Sequence, residues 1–162
     1  MKYLLVIFIC LCFSTAGTVA QTPSATIPAF TFYRFDKTVF ANKNIAPGKF
    51  LFFVFFDAAC DHCRHAIEYI NLHHHEFKNT VMYLITLDSK KVLDAFMGSY
   101  GKNLLNKKNV LLLQDTNNEF IGKFGPKKYP SLFLYSAAQK LLVYSDDELD
   151  LNKFSSFTET KN

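Results

Sequence analysis

Seven consecutive apolar residues, Phe50 to Phe56, lead through Asp57-Ala58-Ala59 straight into Cys60-Asp61-His62-Cys63. An unbroken apolar run of this length suits a strand covered on both faces, as at the centre of a layered sheet, better than a half-exposed strand, which would alternate. Beyond Cys63 the period changes: Ala66, Ile67, Ile70 and Phe77 fall at helical spacing, with His74 on the same stripe. A Cys-x-x-Cys therefore opens a helix directly after a central strand.

The rest of the chain repeats the alternation. Val81 to Leu87 reads as a second buried strand and Ser89 as a helix N-cap. Val92, Leu93, Phe96, Met97 and Tyr100 then form the apolar stripe of a helix ending near Gly98 or Gly101. Val110 to Leu113 is a third strand, Asp115 to Asn118 a turn, and Glu119 to Phe124 a short helix stopped by Gly125-Pro126. Leu132 to Tyr135 and Leu141 to Tyr144 predict an antiparallel pair, followed by a closing amphipathic helix over Leu149 to Phe157. Upstream, Phe30, Phe32, Phe35, Val39 and Phe40 predict a hairpin around Asp36-Lys37, and Pro47-Gly48 a turn. The whole predicts a three-layer α/β sandwich. Strand order is not readable from this pattern.

The first 20 residues stand apart. Lys2 precedes an apolar run from Tyr3 to Phe13, and small and polar residues follow, ending in Thr18-Val19-Ala20. This is the pattern of a secretory signal peptide. The run is too short for a spanning helix, which needs about 20 apolar residues. Ile9 before Cys10 and Leu11 before Cys12 do not match a lipid-attachment signal, which wants a small residue there. The expected organisation is a signal peptide over 1–20, an extended linker over 21–29 and one domain over 30–162, acting as a monomer in the periplasm or outside the cell.

Removing the leader changes two counts. Of four cysteines only Cys60 and Cys63 remain, and loss of Lys2 from the 18 basic residues, set against 14 acidic ones, takes the formal charge from +4 to +3. With the lysines scattered, that charge is too mild for a nucleic-acid surface. A solitary cysteine pair in an exported chain is poised for oxidation. Three residues apart at a helix start, both sulfurs lie on one face, and the free N–H groups and positive dipole end favour thiolate on the first. Cys60 is thus the expected nucleophile on a partner disulfide, and Cys63 the thiol that resolves the mixed disulfide. The pair itself is the expected redox group, with no further cofactor and no resident metal expected.

The run Phe52-Phe53-Val54-Phe55-Phe56-Asp57-Ala58-Ala59-Cys60-Asp61-His62-Cys63-Arg64, with Tyr129-Pro130-Ser131-Leu132-Phe133-Leu134 downstream, resembles the thioredoxin fold. The leading hairpin, the leader and the helix inserted before the proline segment look most like the TlpA-like branch of exported bacterial thiol-disulfide oxidoreductases. The resemblance spans roughly residues 30 to 157. It implies a mixed central sheet with an N-terminal β-hairpin extension, and a cis Tyr129-Pro130 bond whose loop packs beside Cys60 and Cys63. It also implies partner proteins bearing thiols or disulfides, and leans toward a reductase fed by a membrane electron donor.

Departures from the family bear on mechanism. Ala59 stands where a Trp is common, and no proline lies between the cysteines. Val54 occupies the place of a buried acid, so Asp57 is the nearest candidate to handle the Cys63 proton. His62 would stabilise a Cys60 thiolate while Asp61 opposes it, leaving the direction of electron flow open.

Other uses of these residues fit less well. Haem attachment needs His directly after the second Cys, where Arg64 stands. Typical peroxiredoxins carry Thr three residues before the reactive Cys, where this chain has Asp57. A structural zinc site wants four ligands, and no second Cys pair exists. A redox-inactive module with a passive local disulfide, or one holding copper through Cys60, Cys63 and a His, is the remaining alternative. His73-His74-His75 reads as a solvated helix end, because consecutive helical residues point about 100° apart.

Overall fold

The computed structural model describes residues 22–159; the expected leader lies outside them. Seven strands form one mixed sheet: β1 (Thr31–Tyr33), β2 (Val39–Ala41), β3 (Phe50–Phe55), β4 (Thr80–Thr86), β5 (Val110–Gln114), β6 (Ser131–Tyr135) and β7 (Leu141–Ser145). Their order is β2-β1-β5-β4-β3-β6-β7. The parallel trio β3, β4 and β5 sits at the centre, β6 and β7 add antiparallel on one side, and the β1-β2 hairpin closes the other through β5. Among the described residues four α-helices complete the fold: α1 (Asp61–His73), α2 (Lys90–Tyr100), α3 (Glu119–Phe124) and α4 (Leu151–Glu159). This is the thioredoxin-like α/β sandwich expected, hairpin included.

The apolar run of β3 and its continuation is explained by its two faces. Phe52, Val54 and Phe56 enter the cluster that contains Ala66, Ile67 and Ile70 of α1, Leu93 and Phe96 of α2, and Phe154 of α4. Leu51, Phe53 and Phe55 enter the opposite cluster, with Phe32 and Phe40 of the hairpin and Phe120 and Phe124 of α3. Because side chains alternate across a strand, covering both faces requires every position to be apolar. The second cluster is largely aromatic: Phe120 stacks on Phe124 at 4.2 Å and on Phe55 at 4.4 Å.

Local signals placed most boundaries. The Ser89 side chain accepts from the N–H of Val92 and caps α2. Gly125, at φ +69°, ends α3 in the left-handed conformation that glycine adopts without steric cost.

Four details differ from expectation. First, α1 stops at His73 and a 3-10 turn over His74–Glu76 follows. Phe77 therefore leaves the α1 stripe, and it is buried by stacking on Phe52 at 5.3 Å. Second, Val92 is 45% exposed, because α2 turns Leu93, Phe96 and Met97 inward instead. Third, the closing helix starts at Leu151. The Asp147 carboxylate accepts from the N–H of Leu149 and holds Glu148–Asp150 in a 3-10 turn, which leaves Leu149 in solvent.

Fourth, residues 22–29 are extended as a linker would be, yet they are tied to the domain. Ser24 N–H donates to the Phe124 carbonyl at 2.8 Å, Leu141 N–H to that of Ala25 at 2.9 Å, and Ile27 N–H to that of Gln139 at 3.1 Å. Ile27 is buried in the second cluster. An apolar side chain with three flanking backbone bonds makes this segment part of the fold's edge.

Candidate active site

The loop between β3 and α1 carries the two cysteines, and its backbone is satisfied residue by residue. Phe56 N–H extends the ladder to the Ile85 carbonyl at 3.0 Å. Ala58 N–H donates to Oδ2 of Asp88 at 2.9 Å, and the Thr86 hydroxyl donates to the same oxygen at 2.7 Å. Asp57 then folds the chain on itself: its Oδ1 accepts from Ala59 N–H at 2.7 Å, and its carbonyl accepts from Cys60 N–H at 3.2 Å. Buried or half-buried amides in a loop need such partners. The result is a fixed platform for the sulfurs.

Cys60 is the N-cap of α1, with extended backbone and its carbonyl accepting from Arg64 N–H at 3.1 Å. It is half-buried, while Cys63, in the first helical turn, is fully buried. Both thiols are free. The N–H of Asp57 donates to Cys63 Sγ at 3.5 Å. Burial pushes the Cys63 thiol far above the ordinary thiol range, with the contact to Cys60 and the Asp57 charge adding to it, and only the Asp57 amide opposes the rise. One sulfur is therefore accessible at the helix end and the other is held back as a thiol.

The Tyr129-Pro130 bond is cis, and Pro130 is buried at the head of β6. The Tyr129 ring lies 4.9 Å from that of Phe55. Burial raises its hydroxyl to about 12, with Asp57 and then Cys63 as the next contributors, which places Tyr129 in the same electrostatic neighbourhood as the cysteine loop. Cys60 and Tyr129 also pack against the one core cluster that contains Cys63. Phe55, Ile121, Pro126, Lys127, Lys128 and Tyr129 line a cavity of about 220 Å³.

His62 has a partner that the sequence does not show. Its Nδ1 lies 2.7 Å from Oε1 of Glu148, so that nitrogen is committed to a carboxylate and not to Cys60. His65 Nδ1 approaches the same oxygen at 4.0 Å. Asp61 is likewise balanced by the Arg64 guanidinium at 3.0 Å. The His73 to His75 tract sits at the end of α1: His73 pairs with Glu76 at 2.7 Å and stacks on Tyr69, and His74 Nδ1 faces the Asn71 carbonyl at 3.2 Å. Among the described residues no group of three or more His, Cys, Asp or Glu is arranged to hold a metal ion.

Two contributors escaped the sequence reading. Glu148 is 86 positions from the histidine it binds, and Asp88 is 30 from the amide it anchors. Neither leaves a local pattern, since each belongs to a different element from its partner. An acid just after the second strand is the one sequence cue for Asp88.

The same fold recurs in known proteins. The model of the AhpC/TSA family matches residues 23–144. The thioredoxin domain of a thiol-disulfide oxidoreductase from Bacteroides vulgatus superposes with a TM-score of 0.66 at 18% identity, covering 87% of this chain and 99% of that one. A thiol-disulfide oxidoreductase from Bacteroides fragilis does so with 0.61 at 18% identity, covering 82% and 98%. A thioredoxin-like protein from Aeropyrum pernix gives 0.65 at 12% identity, covering 80% and 89%. At such identities the likeness speaks for the fold. No curated protein matches the chain in sequence.

Proposed function

This chain belongs to the AhpC/TSA family, and from that premise we propose that it is an exported thiol-disulfide oxidoreductase that acts on partner proteins through Cys60 and Cys63. The observation that carries the reading is the asymmetry of the pair: Cys60 half-exposed at the N-terminus of α1, Cys63 fully buried beside it with the Asp57 amide on its sulfur. A passive structural disulfide has no need of one accessible and one withheld thiol.

The cycle follows from that asymmetry. Cys60 thiolate attacks one sulfur of a partner disulfide; a mixed disulfide forms and the partner's other sulfur leaves as thiolate. Cys63 then loses its proton and attacks Cys60 Sγ. The Cys60–Cys63 disulfide forms, the partner leaves with both sulfurs reduced, and two electrons have passed to it. A dithiol donor, which we place at the membrane, reverses the change. Proton loss from Cys63 is the demanding step, because burial holds its thiol protonated. The Asp57 N–H stabilises the sulfur anion that forms, and the Asp57 carboxylate is the group we assign to receive the proton.

The cis Tyr129-Pro130 loop offers an extended edge where a partner peptide can pair in the manner of strand addition. Reduction is the direction we favour, and the leader over 1–20 supports export. Asp57 at the place of the peroxiredoxin Thr speaks against peroxide as the substrate.

The test is catalysis by the purified protein. It should accelerate reduction of an exposed protein disulfide by dithiothreitol, Cys60→Ser should abolish this, and Cys63→Ser should accumulate mixed disulfides. Full activity in Cys60→Ser would overturn the reading. Copper binding lost in both variants, with no exchange activity, would assign a metal-carrying module instead.

A further inference from the structure

The residue pair inside a Cys-x-x-Cys lies next to the reactive sulfur, and here it contains His62, one of whose nitrogens is occupied by a residue from the far end of the chain. Glu148 sits in the 3-10 turn Glu148–Asp150 ahead of α4, and its side chain is only 14% exposed. Its Oε1 lies 2.7 Å from His62 Nδ1 and 4.0 Å from His65 Nδ1. Burial alone would raise the Glu148 carboxyl, yet the hydrogen bond from His62, then its own backbone N–H and the charges of His62 and His65, hold it below the ordinary carboxylate range. The carboxylate form is therefore the one that meets the histidines. The His62 side chain is otherwise 69% exposed, so this contact is what gives the ring an orientation.

Other charges around Cys60 are already balanced or fixed. Asp61 pairs with Arg64, Arg64 lies over the Tyr100 ring, and one Asp57 carboxylate oxygen accepts the Ala59 amide. His62 is the residue of the dipeptide that can carry a positive charge, and an imidazolium there would stabilise Cys60 thiolate, favouring the dithiol and making the pair a stronger oxidant.

We propose that Glu148 is a positioning residue of the redox site: by binding His62 Nδ1 it orients the ring and offsets its charge, and so keeps the Cys60–Cys63 couple more reducing than the Cys-Asp-His-Cys sequence would make it. This rests on the oxidoreductase reading and supplies its direction. Reduction of the disulfide takes two electrons and two protons from a dithiol to give the two thiols. Whatever stabilises Cys60 thiolate pulls that equilibrium toward the reduced protein, and Glu148 acts against the pull.

The test is a double-mutant cycle on His62 and Glu148, read by equilibrating the Cys pair with glutathione buffers and by the rate at which iodoacetamide labels Cys60 at pH 7. Glu148→Ala should shift the equilibrium toward the reduced pair about tenfold, or about 30 mV for a two-electron couple, and should speed labelling. With His62→Asn already present, the same change should have less than a threefold effect. Glu148→Gln, which keeps the side chain's shape, should move both readouts in the same direction and guards against a misfolded Ala variant. No shift in either variant, or an equal shift with and without His62, would overturn the proposal, the second by making Glu148 a bare charge acting without the ring. Labelling is read on the reduced protein, so a chain without exchange activity would sink the oxidoreductase reading while the labelling rates still decided the role of Glu148.

Discussion

The main-chain N–H of Asp57 points at Cys63 Sγ from 3.5 Å, while the Asp57 carboxylate contributes to keeping that same thiol protonated. One residue thus acts on the buried sulfur in two opposite senses. The amide favours the anion needed for resolution, and the carboxylate disfavours it until a proton has moved. Burial is the larger cause of the inequality between the two cysteines, and Asp57 acts on the buried sulfur on top of it.

That inequality predicts selective modification. In the reduced, native protein iodoacetamide should label Cys60 and leave Cys63 unmodified, since Cys63 is fully buried and burial raises its thiol well above neutral pH. After denaturation both should react. Peptide mass mapping reads the result directly. Equal labelling of the two in the native state would contradict the geometry.

Asp57→Asn separates the two effects of the residue. Asn keeps the amide on Cys63 and an oxygen for the Ala59 N–H, but cannot take a proton. If the carboxylate receives the Cys63 proton, resolution of a preformed mixed disulfide should slow by about 10²-fold, the lower range for a lost acid–base group. Stopped-flow release of a fluorescent thiol measures this. Faster release would mean that the carboxylate acts on Cys63 only by repulsion.

The parts of this site that were legible in the sequence are those dictated by periodicity and by local chemistry. Covering both faces of β3 makes Phe50 to Phe56 uniformly apolar, and the change to helical spacing after Cys63 places the pair at a helix start. Ser89 and Gly125 announce their helix ends by their own side chain or its absence. What could not be read is held by contacts across the fold. His62 reads from the sequence as a neighbour of Cys60, and only β7 and the turn after it bring Glu148 to the ring. Leu149 and Val92 fit an apolar stripe by spacing alone, and only the packing of neighbouring elements decides that Leu151 and Leu93 go inward instead. Strand order is of the same kind, since the pairing of β1 with β5 joins segments about 80 residues apart with no shared local signal.

Asp115 supports the fold beneath the site. It is 1% exposed, and its two carboxylate oxygens accept the N–H groups of Glu119 at 2.9 Å and Phe120 at 2.8 Å, capping α3 from the turn before it. Asp115→Ala strands two amides at the start of a helix whose Phe120 and Phe124 fill the aromatic cluster. The cost should be about 2 to 3 kcal/mol, from a lost cap and a buried donor left unpaired. Chemical denaturation should show the midpoint fall at unchanged slope. Loss below about 0.5 kcal/mol would mean that water replaces the carboxylate.

Acid should loosen the junction between α3 and the hairpin. Glu119 Oε2 accepts from Lys123 Nζ at 2.7 Å and from Thr31 N–H at 2.8 Å, so this carboxylate joins α3 to the first strand of the hairpin across 88 positions. The Lys123 hydrogen bond first, then the Thr31 amide and the Lys123 charge, hold the carboxyl below its ordinary value of 4.5. A carboxyl whose folded-state value is depressed binds its proton more readily in the unfolded chain. Its contribution to stability is therefore present above about pH 4.5 and is lost as pH falls through the folded-state value. Glu119→Gln removes that dependence, since an amide does not titrate there. Between pH 6 and pH 3 the melting temperature of the wild-type protein should fall more steeply than that of Glu119→Gln, and the two curves should converge at the acid end. Parallel curves would show that the hairpin is held to α3 by its apolar contacts alone, with the carboxylate a bystander on the surface.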